Sequence, residues 1–363
     1  RRDDSLVPYL PVVGVVEQRE ADPDLPDWAA PIPLPDYEFA DPKLADRIRQ
    51  DYSTTVSELF LEEHVRPVME WAHDLGLTVR GQGYSSWGPT SIDVQTIYRE
   101  LDIAEGESRS FGAPPFSTPP FIDVRANDAW RAMASAVASV DKTIVSTECC
   151  ASGQAWEVPR QTLLSYINQQ FSVGVNQIVY HGWSHKSPVI SPSWPGWEGM
   201  RQGVADSYGP HTAQFTHDRM INDYVARNQH VLRSGELRTD VAIYREGAGH
   251  SIEGLSGSPY WEDESLFQAG YTYGFLNAEI VTDPDIELEN GRLDAEGPQY
   301  GALIVNGTEN MQNYSTMALE SAEQIDAWAA HGLPVVVVGD VPTQVTGYAE
   351  DDDEKLAEVF ARL

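Results

Sequence analysis

"NDAWRAMASAVASVDKTIVSTECC", residues 127–150, decides the fold. Its first part reads as a helix around 127–139, and its second as the β-branched strand "KTIVSTE" at 142–148. The same unit recurs along the chain. A helix around 159–172 precedes "GVNQIVYHGWSH", with a strand at 176–181. A long helix around 213–234 precedes "DVAIYRE" at 240–246. Upstream, Leu44, Ile48, Tyr52, Leu59, Phe60, Val65, Val68 and Trp71 give residues 43–75 a helical period. Gly76 then caps the helix, a short strand spans Leu77–Arg80, and a loop carries Gln82 and Tyr84. Strands that are continuously apolar rather than alternating are covered on both faces, which points to parallel α/β organisation.

Polar residues fall where such folds keep their chemistry. Glu148, His181 and Glu246 each close a predicted strand, with Gln82 in a comparable place. In parallel sheets, and in (β/α) barrels above all, working groups collect at the C-terminal strand ends. Beyond about residue 260 the texture changes to helix, strand, strand, helix, strand. This predicts a second, doubly wound unit of the flavodoxin-like or amidotransferase-like kind. Its "VVVVGD", residues 335–340, lacks the glycines and lysine of a phosphate loop and reads as structural. The expected division is 1–255 for the barrel portion and 256–363 for the doubly wound domain.

Composition narrows the partners. A formal net charge of −32 over 363 residues repels nucleic acid and anionic membranes. No apolar run approaches the ~18–20 residues of a membrane span. The opening "RRDDSLVPYL" does not read as a signal peptide. Cys149 and Cys150 are neighbours, without zinc spacing, and read as two small buried residues at a strand end.

"LDIAEGES", residues 101–108, poses the chemical question, because it sets Asp102, Glu105 and Glu107 close together. Glycoside hydrolysis generally needs two carboxyl groups: one protonates the leaving oxygen, and the other activates water or attacks. Glu105, Glu148 and Glu246 are the candidates. Tyr84, Trp87, Trp156, Trp183, Trp194, Trp197 and Tyr208 supply ring faces of the kind on which sugars stack. "HGWSHKSPVISPSWPGWEG", residues 181–199, concentrates His181, His185, Trp183 and Trp197 in one loop-like stretch.

An ordered series of segments resembles glycoside hydrolase family 106, the α-L-rhamnosidases. "RRDDSLVPYLPVV" resembles that family's RRGYDL-x-PYLPAL segment, and "LDIAEGES" resembles its D-I-P-E-G-E motif. "IVSTECCASG" resembles the segment where an Ala-Glu ends a strand. "GVNQIVYHGWSHKSP" resembles the G-V-N…H…H-x-P run, and "DVAIYREGAG" the strand ending in Gly-Glu-Asp. The resemblance implies a (β/α)8 TIM-type barrel whose N-terminal strands are missing here, completed by a further chain or further domains. It implies removal of terminal α-L-rhamnosyl or similar deoxy-sugar residues by inversion, with calcium assistance. Glu105 and Glu246 would be the acid pair, with Glu148 a further acid at the mouth. Asp102 would be the calcium ligand. Gln82, Tyr84, Asn176, His181, Trp183, His185 and Trp197 would hold the carbohydrate. A secreted or periplasmic location is expected.

The pattern departs from the family in two places. Ala104 replaces the proline, and Glu246 is flanked by Arg245 and Gly247. A carbohydrate-binding or regulatory protein on a degraded barrel is the alternative, and a β-galactosidase-like enzyme ranks third. The Asn-Glu pair expected of the latter is absent, because Glu148 follows Thr147.

Overall fold

In the computed structural model the described residues are 42–83, 92–109, 128–151, 159–182, 208–209, 214–246, 261, 263–307, 316–347 and 352–363. They form a mixed α/β structure with two four-stranded, wholly parallel sheets.

The first sheet has the order β1 (Arg80–Gln82), β2 (Ile103–Arg109), β3 (Val145–Ala151), β4 (Gln177–Tyr180). The helical stretch expected at 43–75 is α1 (Pro42–Phe60), a π-helical turn (Leu61–Val65) and α2 (Arg66–Asp74). Pro67 has no N–H to give to the turn before it, and the ladder widens there. Helix α3 (Val94–Glu100) leads into β2, α4 (Asp128–Ala138) into β3 and α5 (Arg160–Phe171) into β4. Asp93 caps α3, its carboxylate accepting from the Gln95 N–H at 3.0 Å. Between α5 and β4 the chain turns at Gly174, with φ +104°. A Cβ there would stand 2.6 Å from the Ala134 methyl of α4, so only glycine fits.

Strand β2 carries Glu105 on a stretch that the sequence reading assigns to no element. Apart from Ile103 it has no β-branched residue. Burial selects it instead. Ala104 and Gly106 are small and buried, and α3 and α4 both pack on this strand. Ile103 and Glu105 face the other way.

The second sheet has the order β11–β9–β5–β6, made of β5 (Val241–Tyr244), β6 (Tyr273–Leu276), β9 (Ala302–Gly307) and β11 (Val335–Gly339). This corrects the sequence reading. β5 was expected in the first sheet, yet it pairs with β6 and β9 and not with β4. The strand that ends in Glu246 therefore opens the second sheet. All four of its residues are buried, as suits a central strand. "VVVVGD" is structural, as read. Gly339 pairs with Gly307, and a Cβ on Gly307 would lie 1.6 Å from the Asp340 carbonyl oxygen.

Helices α3 and α4 join the two sheets. One continuous apolar core runs from Ile97, Tyr98, Met133 and Val137 to Leu276, Tyr300 and Leu303. The buried Gln95 amide donates to the Ala132 carbonyl at 3.0 Å and to the Phe275 carbonyl at 2.9 Å, tying α4 to β6. At the start of α4 the buried Asp128 carboxylate accepts from Arg131, from Tyr273 Oη at 2.9 Å and from the Trp261 N–H at 3.0 Å. Asp128→Ala leaves a largely buried guanidinium and two further donors without their acceptor. The expected loss is about 3 kcal/mol, read as a lower urea midpoint. A midpoint equal to the wild type's would show that this junction does not hold the sheets together.

Candidate active site

Alternation along a strand sorts the first sheet into two faces. Residues 81, 104, 145 and 147 face the helices. Arg80, Gln82, Glu105, Ser146, Glu148 and Gln177 share the other face, together with the apolar Ile103 and Val179. The register aligns Gln82, Glu105, Ser146 and Gln177 across the four strands in one rung. Glu148 stands one rung nearer the C-terminal ends, level with Glu107.

Within this face the predicted residues Gln82, Glu105, Glu148 and His181 come together. The Gln82 amide nitrogen lies 2.6 Å from Glu148 Oε2 and 3.5 Å from Glu105 Oε1, so a single amide spans both carboxylates. Glu105 Oε2 accepts from Ser146 Oγ at 2.8 Å and pairs with Arg80 Nε at 3.0 Å. His181 Nε2 stands 3.7 Å from Glu148 Oε1. Exposure separates the acids: the Glu105 side chain is 8% exposed and that of Glu148 29%. Arg80, Ser146 and Gln177 were missed by sequence reasoning. The signal available was their even spacing from Gln82 and Glu148, but it needs the strand register to be seen. The Gln177 Oε1 is a buried acceptor without a hydrogen-bond donor.

Other predicted residues stand elsewhere. Tyr84, Trp183, His185 and Trp197 lie outside the described residues, as do Trp87, Trp156 and Trp194. Asn176 precedes β4 at the opposite end of the sheet. Its Oδ1 accepts from the Val145 N–H at 2.9 Å and its Nδ2 donates to the Thr143 carbonyl at 2.6 Å. It joins β3 to β4 and does not face the carboxylates. Tyr208 is buried against Tyr180, with ring centroids 5.0 Å apart, and donates to the Cys150 carbonyl at 2.8 Å. It packs and does not offer a stacking face.

Asp102 also sits before its strand. Both of its oxygens face donors: His73 Nε2 at 3.1 and 2.9 Å, and the Val79 N–H at 2.8 Å. Partial burial pushes this carboxyl up, but the Val79 N–H, His73 and Lys142 outweigh it and hold the group below its usual value. Among the described residues no group of three or more His, Cys, Asp or Glu is placed to hold a metal ion. A hard-cation site at Asp102 does not fit this donor-filled setting, so no calcium-dependent step is derived.

Glu246 belongs to the other sheet. It follows β5 of the second sheet and is buried. Its carboxylate accepts from Tyr244 Oη, from the Ala318 N–H at 3.0 Å and from Thr346 Oγ1 at 2.6 Å. Those contacts join β5 to the short pair β10 (Thr316–Met317) and β12 (Gln344–Val345).

The cysteines differ from expectation too. Both are buried, but they are bonded to each other. A bulge makes room for this. Cys149 pairs with Ser108 and Ala151 with Arg109, leaving Cys150 as the extra residue with φ +80°. The bulge lies directly after Glu148, and the Cys149 carbonyl accepts from the His181 N–H at 2.9 Å.

Two carboxylates bridged by one amide, on the polar face of a parallel sheet, are the equipment of a glycoside hydrolase. Residues 39–363 match the family Glyco_hydro_106, described as alpha-L-rhamnosidase, and the chain belongs to it. Among solved structures it is similar to a rhamnosidase from Novosphingobium sp. PP1Y, with TM-score 0.64 and 21% identity. That likeness covers 88% of this chain and 28% of the rhamnosidase, and it concerns the fold. The chain therefore spans under a third of that protein's length. A β-galactosidase from the psychrophilic Marinomonas ef1 is a looser likeness, with TM-score 0.48 and 12% identity over 84% of this chain and 46% of that one. No curated protein matches in sequence.

The corrected place of Glu246 has a measurable consequence. Burial lifts its carboxyl above the usual 4.5, against the pull of Thr346, Tyr244 and Ala318. A raised carboxyl stabilises the fold below its unfolded value, and that contribution is lost as pH rises through the folded value. The stability of the wild type relative to Glu246→Gln should therefore fall as pH rises above 4.5. In the complete protein, kcat should stay within about threefold of wild type if Glu246 serves only to join β5 to β10 and β12. A loss of kcat by a hundredfold or so would return Glu246 to the reaction.

Proposed function

We propose that this chain is the part of an inverting α-L-rhamnosidase that carries the acid pair Glu105 and Glu148. The observation that carries the acid pair is the Gln82 amide in contact with both carboxylates; inversion rests on the resemblance to the family's motifs and not on this close spacing. Glu148, the more exposed acid, protonates the glycosidic oxygen as the bond to the leaving group breaks. His181 beside it steadies its orientation. Glu105, one rung deeper and held by Arg80 and Ser146, takes a proton from the water that attacks the anomeric carbon. A terminal deoxy-sugar such as L-rhamnose is the substrate class that the family match supports.

In this reading the four parallel strands are one arc of a (β/α) barrel. Two features support it: the carboxylates gathered on one face of parallel strands, which suits a barrel interior, and the greater length of the rhamnosidase it resembles. Further strands of the same protein close the barrel over the carboxylates. The second sheet, with its first strand central and its order β11–β9–β5–β6, forms the doubly wound domain beside it.

In the complete enzyme, Glu105→Gln and Glu148→Gln should each lower kcat/KM for an aryl α-L-rhamnoside by at least about a hundredfold. Proton NMR of the first-formed sugar should show the β-anomer. Release of the α-anomer first would make the enzyme retaining. Near wild-type rates in either variant would remove that acid from the pair.

A further inference from the structure

Glu105 is held from three directions, and the strand register says which direction is left open. Arg80 pairs across to Ile103, one rung below Glu105, and reaches up to Glu105 Oε2 through its Nε at 3.0 Å. Ser146 stands in the same rung on β3 and donates to that same oxygen at 2.8 Å. Gln82 stands in the same rung on β1, 3.5 Å from Oε1. Donors therefore lie below the carboxylate and on both sides. The free direction is upward, toward the rung of Glu148.

Each donor also has little freedom of its own. Ser146 is fully buried and Gln82 is anchored to Glu148 at 2.6 Å. Arg80 engages Glu105 through Nε, the nitrogen nearest its backbone, so the contact is set by where β1 runs. A carboxylate in solution samples several χ rotamers, and a catalytic one must hold a single orientation. Two donors on one oxygen leave the other oxygen as the one able to turn to a water.

We infer that Arg80 and Ser146 are positioning residues that lock the Glu105 carboxylate beneath the mouth of the site, Oε2 held by the protein and Oε1 presented to the reacting water. This rests on the reading of Glu105 as the base. Both residues act through Glu105 in this reading, so their loss should lower kcat and leave KM nearly unchanged.

The test uses the complete enzyme and an aryl α-L-rhamnoside. Arg80→Gln and Ser146→Ala should each reduce kcat by roughly tenfold or more, with KM within about threefold. Arg80→Lys keeps the cation but loses the planar Nε donor, and should fall between wild type and Arg80→Gln. In a Glu105→Gln background, Arg80→Gln and Ser146→Ala should add no further loss, because the group they hold is already disabled. Thermal midpoints identify a variant that fails to fold, and Ser146→Ala carries the test if Arg80→Gln is such a variant. Wild-type kcat in folded Ser146→Ala and Arg80→Gln, with Glu105→Gln inactive, overturns the clamp and leaves the acid pair standing. Full additivity of the losses overturns it as well. An active Glu105→Gln removes the base itself, and the clamp with it.

Discussion

Strand register is the constraint on which the site depends. Side chains alternate faces, so a slip of one residue in β2 would turn Glu105 into the apolar layer under α3 and α4 and put Ala104 in its place. The rung Gln82–Glu105–Ser146–Gln177 exists only because three neighbouring pairings agree. The pins are at the strand starts. Asp102 receives the Val79 N–H and so fixes β1 against β2. Asn176 receives the Val145 N–H and donates to the Thr143 carbonyl, which fixes β3 against β4. Lys142 donates to the carbonyls of Glu100 and Leu101 and holds the end of α3 where β2 begins. These side chains have the polarity of site residues and perform alignment.

That distinction explains much of what the sequence made legible. The helix–strand units centred on α4–β3 and α5–β4 were readable because a helical apolar period is followed each time by a short β-branched run. Gln82, Glu105, Glu148 and His181 come together as strands in a parallel sheet bring their polar residues to one side. β2 was not readable as a strand, since Ile103 is its one β-branched residue and Ala104 and Gly106 leave little apolar signature. Asn176 and Asp102 were misread because motif order alone does not tell one end of a strand from the other. Glu246 was misread for a topological reason. A helix followed by a buried strand looks the same whether that strand joins the previous sheet or begins the next, and only the pairing of β5 with β6 and β9 decides.

The neighbouring cysteines illustrate a different limit. An isolated pair of adjacent cysteines carries no framework, and the expectation of two inert buried residues follows from that. What the sequence does not express is the bulge, which depends on Ser108 and Arg109 of the facing strand. The bulge ends the regular ladder just past Glu148, so this half-buried acid is the last residue of β3 to follow the regular alternation. A strand that ran on regularly would have carried the next inward residue over it.

Placing α3 and α4 between two sheets has a consequence for how the molecule comes apart. A helix pair normally belongs to one layer and can be shed with it. Here each helix presents apolar residues to both sides, and Gln95 and Asp128 are satisfied only when α3, α4 and β6 are together. Cutting the chain between α6 (Asp218–Leu232) and β5 would not release a barrel fragment with a finished exterior. It would strip one side of a buried helix layer, exposing Ile97, Met133 and Val137 to water and leaving Gln95 half satisfied. The two sheets thus melt as one cooperative body, and a protease that nicks the connecting segment should liberate no stable half.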